Sequence, residues 1–73
     1  MNVTLQAASI RRQFDAAVRS KDDLEEAVCV LDAKWQGLHA VRLGWTTETP
    51  ACFTEIPRLV AAWTDGINSN VRH

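Results

Sequence analysis

Proline and glycine are scarce in this chain and unevenly placed. There are 3 Gly and 2 Pro in 73 residues, and positions 1 to 36 contain none of them. Charge of one sign is missing too: 8 Lys/Arg stand against 9 Asp/Glu, a formal net charge of -1. Without a cationic surplus there is little to release counterions from a phosphate backbone, which argues against a nucleic-acid binder. The same balance argues against a polybasic membrane anchor. No run of apolar residues approaches the length of a membrane span. The start of the chain has no basic segment followed by an apolar stretch, so we expect no secretory leader and a cytoplasmic protein. In that compartment the two cysteines, Cys29 and Cys52, are expected as reduced, buried thiols; a bridge between them is the alternative.

Groups for chemistry are equally sparse. His39 and His73 are the only imidazoles; His73 is the last residue, and His39 has no Ser or Cys nearby at a spacing that marks a nucleophile. Close-spaced zinc-ligand pairs are absent, and the three glycines stand too far apart for a phosphate loop. The acids Asp22, Asp23, Glu25 and Glu26 read as a solvated helix face. We therefore expect no catalytic residue, no metal and no cofactor, and a protein that binds rather than reacts.

Apolar residues, by contrast, make up 47% of the chain. Val3, Ala7, Ile10, Phe14, Ala17, Lys21, Leu24, Val28, Leu31, Trp35 and Leu38 follow one another at alternating steps of 4 and 3, and Lys21 alone breaks the apolar series. With no Gly or Pro before Gly37, this spacing predicts one long amphipathic helix from about 4 to 35, roughly 48 Å at 1.5 Å per residue. Ser20-Lys21-Asp22-Asp23 offers a second reading, an N-cap and first-turn acids that break the helix in two. Lys21 on the seam either restricts register and partner number or lays its stem along the seam with the ammonium in water.

Gly37 fits a helix stop, with Lys34 in the last turn. Thr46-Thr47-Glu48-Thr49-Pro50 reads as a loop, or as Thr49 capping a helix with Pro50 at its first position. Beyond it, Phe53, Ile56, Val60, Trp63 and Ile67 again step by 3 and 4, predicting a shorter returning helix that tolerates Pro57 with Thr54 as its N-cap. Gly66 would end that helix or sit in its last turn, leaving a polar tail from Asn68. The expected fold is all-α, a helical hairpin forming a single small domain over 1-73, completed by dimerisation because so short a chain buries only a marginal core. An α+β alternative pairs 38-46 with 51-56 as a β-hairpin within 38-56, covered by the long helix.

Function on this reading is a non-enzymatic protein-protein interaction module: a regulator, adaptor or inhibitor that binds itself or a protein partner through the seam. The candidate interaction residues are Phe14, Lys21, Leu24, Val28, Leu31, Trp35, Trp45 and Trp63. Trp35 and Trp63 fall on the seams and are expected in the core; Trp45 is either a core residue or an interface anchor.

Trp35-Gln36-Gly37, a W-x-G tripeptide between two amphipathic arms, resembles the WXG-motif family of type VII secretion substrates. Ala40 and Leu43 match the small and bulky residues that often follow the motif there. The resemblance implies a helical-hairpin dimer forming a four-helix bundle, with the tripeptide at the inter-helix turn. It also implies export without a cleaved leader.

Overall fold

A computed structural model describes residues 3-44 and 48-71. It is all-α, with three helices, Val3–Ser20 (α1), Asp23–Arg42 (α2) and Pro57–Val71 (α3), and a 3-10 turn at Ala51–Phe53. Among the described residues there is no strand, so the hairpin alternative for 38-56 is not formed: its first part lies in α2 and its second in the 3-10 turn. Among the described residues no helix is long and apolar enough to cross a membrane.

The long helix of the spacing argument is broken at Lys21. Lys21 takes a left-handed backbone (φ 55), its N–H donates to the Val18 carbonyl at 3.2 Å, and the Asp22 N–H reaches back to the Ala17 carbonyl at 2.9 Å. This pair of bonds is a Schellman closure, which satisfies the last carbonyls of α1. Asp22 then serves the next helix. Its carboxylate accepts the Glu25 backbone N–H at 3.1 Å, and Asp23, Glu25 and Glu26 favour the positive end of α2. A left-handed lysine is strained by its Cβ. Lys21→Gly is therefore expected to stabilise the fold by about 1 kcal/mol, read from denaturant melts; a loss would contradict this account of the break.

Gly37 does not stop α2. The helix runs five residues further, to Arg42, and the left-handed glycine that follows its end is Gly44 (φ 69), whose N–H donates to the Val41 carbonyl at 3.2 Å. The returning helix starts at Pro57, not after Thr54. Proline suits a first position, where the missing N–H has no partner to lose. Thr54 instead closes the 3-10 turn, its hydroxyl donating to the Ala51 carbonyl at 2.8 Å. Gly66 lies inside α3, which continues to Val71 through the stretch expected as a tail.

α2 is the central element, with α3 packed along one side of it, α1 on another, and the 3-10 turn against α1. On α1 the buried residues are Ala7, Ile10, Phe14 and Ala17, the 3–4 series of the sequence. Trp63, Phe53, Leu59 and Cys29 are the largest fully buried side chains. The Phe53 and Trp63 rings meet edge to face with centroids 6.3 Å apart. Arg11 ties α1 to the turn by donating from Nη1 to the Cys52 carbonyl at 2.6 Å, while its Nε pairs with Asp15 at 3.0 Å.

Two glycines set how closely α2 and α3 approach. A Cβ on Gly37 would overlap the Trp63 carbonyl oxygen, and one on Gly66 would overlap the Lys34 carbonyl oxygen and stand 3.0 Å from the Leu38 amide nitrogen. Both glycines are buried, each facing the backbone of the other helix. That crossing is closer than larger residues permit, and it decides which way the rest of α2 faces.

Candidate protein-interaction surface

The inward face of α2 is built from small residues. Cys29, Ala33, Gly37 and Ala40 are buried, with Gln36 beside them. No space between close-packed backbones remains for leucine or tryptophan. The large apolar residues of α2 therefore occupy the opposite face: Leu24 is 76% exposed, Val28 41%, Leu31 51% and Trp35 50%. Spaced by 4, 3 and 4, they form one stripe, extended by the half-buried Leu38. In residue type this is the seam read from the sequence. In the fold it points outward.

On the α3 side the stripe borders a shallow groove of ≈ 690 Å³, with Ala27, Val30, Leu31, Ala61 and Ala62 among its lining. Ion pairs span its two helices, Lys34 to Asp65 at 3.2 Å and Arg58 to Glu26 at 2.8 Å. The Lys34–Asp65 pair is solvent-exposed and orients α3 more than it stabilises it, whereas the Glu26 side chain of the other pair is largely covered. On the α1 side Gln6, Ser9, Asp32, Gln36 and His39 edge a smaller cleft beside Trp35. The Trp35 and His39 rings lie 6.3 Å apart, tilted by 38°. Gln36 Nε2 is buried there without a hydrogen-bond partner.

The expected interaction residues divide accordingly. Leu24, Val28, Leu31 and Trp35 share one exposed face, and Trp35 is half exposed rather than a core residue. Phe14 (6% exposed) and Trp63 (0%) are buried in the chain's own core and offer nothing to a partner. The Arg58 guanidinium lies 5.7 Å from the centroid of the Phe14 ring, covering it. Lys21 is on no seam: it forms the left-handed turn between α1 and α2 and is exposed. Trp45 and His73 lie outside the described residues. Trp35-Gln36-Gly37 sits in the second half of α2, so the tripeptide does not form the inter-helix turn that the resemblance implied.

No group of three or more His, Cys, Asp or Glu side chains among the described residues is placed to hold a metal ion. Both cysteines are free thiols, Cys29 buried and Cys52 partly so. Burial pushes the Cys29 thiol up, and the carboxylates of Glu25, Asp32 and Glu26 add to the shift. The thiolate is thus disfavoured and the group is a poor nucleophile.

Sequence reasoning missed the groove residues Ala27, Ala61 and Ala62 and the crossing glycines. The signal was present as small residues four apart, Cys29-Ala33-Gly37 on α2 and Ala62-Gly66 on α3, the pattern that lets helix backbones touch. No protein-family model, curated protein or solved structure shows a significant match to this chain.

Proposed function

We propose that this chain is a non-enzymatic helical interaction module, a small regulator, adaptor or inhibitor that docks a protein through the outward stripe of α2. One observation carries the reading. Four large apolar side chains in register lie exposed on a helix whose other face is fully occupied. Isolated exposed apolar residues are ordinary, but a contiguous row bordered by polar groups is the mark of a contact surface. An amphipathic helix presented this way recognises a complementary helix or groove by anchors at i, i+4, i+7 and i+11. Trp35, half buried and rigid, suits the role of central anchor.

Site-specific photo-crosslinking in the cells that make the protein tests this. A photoreactive benzoylphenylalanine replaces Leu31 or Trp35 in one set, and Gln13 or Thr64, exposed on α1 and α3, in the other. Discrete protein adducts from positions 31 and 35, absent from 13 and 64, are the expected result. Equal labelling from all four, or none from 31 and 35, would overturn the proposal.

A further inference from the structure

The charges along α2 say what covers the stripe. From Asp23 to Asp32 the helix carries Asp23, Glu25, Glu26 and Asp32 and no cation; from Ala33 to Arg42 it carries Lys34, His39 and Arg42 and no acid. The helix is thus acidic at its N-terminal half and basic at its C-terminal half, along the same length that bears the apolar stripe. A parallel copy would set acid on acid. An antiparallel copy sets each acidic end on a basic one and opposes the two helix dipoles favourably.

We infer that the occupant is a second copy of this chain, its α2 antiparallel to the first across a two-fold axis. The inference rests on the stripe being a docking surface. Isologous pairing fixes the register, since the stripe must meet itself in reverse. Centring the axis between Leu31 and Trp35 stacks Leu31 on Trp35 of the other copy and Val28 on Leu38. Arg42 then lies over Leu24. In that register Arg42 of one copy is flanked by Asp23 and Glu25 of the other, and His39 lies over Ala27 on the Glu25 side, at both ends. Lys34 and Glu26 are already engaged with α3, which leaves Asp23, Glu25 and Arg42 as the charges that choose orientation. The two Asp32 side chains approach each other near the axis, a like-charge cost. A single helix pair is also a small interface, so association on the order of 10 μM is expected.

The test is sedimentation equilibrium of the intact chain with Glu25→Lys and Arg42→Glu, each alone and then mixed. Both side chains are exposed, and circular dichroism checks that each variant stays helical. The wild type should dimerise. Each variant alone should associate at least about 10-fold more weakly, because like charges meet at both ends. An equimolar mixture should recover near wild-type affinity as a heterodimer, because opposite charges meet again at both ends.

A wild type that stays monomeric to several hundred micromolar would overturn the second copy; the crosslinking experiment then decides separately whether another protein uses the stripe. A dimer lost in Leu31→Glu but indifferent to both charge variants would overturn the antiparallel arrangement while supporting the stripe. A dimer indifferent to all three substitutions would count against both.

Discussion

Gly66→Ala is expected to lower stability by about 3 kcal/mol, and Gly37→Ala by a comparable amount. Helix propensity alone predicts the opposite sign. Replacing a mid-helix glycine with alanine normally gains up to about 1 kcal/mol. Here the added methyl at position 66 would overlap the Lys34 carbonyl oxygen and stand 3.0 Å from the Leu38 amide nitrogen, and at position 37 it would overlap the Trp63 carbonyl oxygen. Backbone atoms cannot turn aside as a flexible side chain can, so α2 and α3 must separate and the contacts around Trp63 loosen with them. A chain of this length has a total stability of roughly 4–11 kcal/mol, so such a loss is a large share of it. Urea melts at low protein concentration give the sign directly. A gain at either position would mean that the helices do not cross this closely.

The second large effect is a contrast between two tryptophans. Trp63 is fully buried against Phe53, and Trp63→Ala is expected to cost about 3–5 kcal/mol through lost burial and the cavity left behind. Trp35 is 50% exposed on the outer face of α2, and Trp35→Ala is expected to cost about 1 kcal/mol or less in dilute solution. Its effect belongs to association instead, where truncating an aromatic anchor is commonly worth 2 kcal/mol or more. Paired denaturation and binding curves separate the two. Equal losses of stability would mean that Trp35 is an internal residue after all.

α1 and α2 differed in how legible they were, for a physical reason. On α1 the large apolar residues and the buried face coincide, so Ile10, Phe14 and their neighbours could be read by spacing. On α2 two faces compete. The spacing of Leu24, Val28, Leu31 and Trp35 was visible, but size was taken as a sign of burial, and the core contact there selects for smallness. Cys29, Ala33, Gly37 and Ala40 are the residues that a reading by hydrophobicity passes over. Gly37 was read as a helix stop, and Gly66 as the end or the last turn of its helix, because glycine is a local breaker. Tertiary packing overrode that tendency, and the true end of α2 fell to Gly44, where a positive φ requires glycine. The turn at Lys21 was open to two readings because its cap residues were weighed against an unbroken apolar series; the Schellman bonds and the Asp22 cap decide it. For the candidate surface, residue identity was legible and direction was not, since direction follows from how α3 approaches α2.

The central claim is that α2 keeps its small residues for the fold and its large ones for a partner. Thermal unfolding of the Val28→Glu/Leu31→Glu double variant, followed by circular dichroism at low micromolar concentration, tests it most directly. With both positions facing solvent, the variant should stay helical and melt within a few degrees of the wild type. Loss of helicity, or a collapse of the melting transition, would mean that two carboxylates had been forced into a buried seam, and that the stripe belongs to the core.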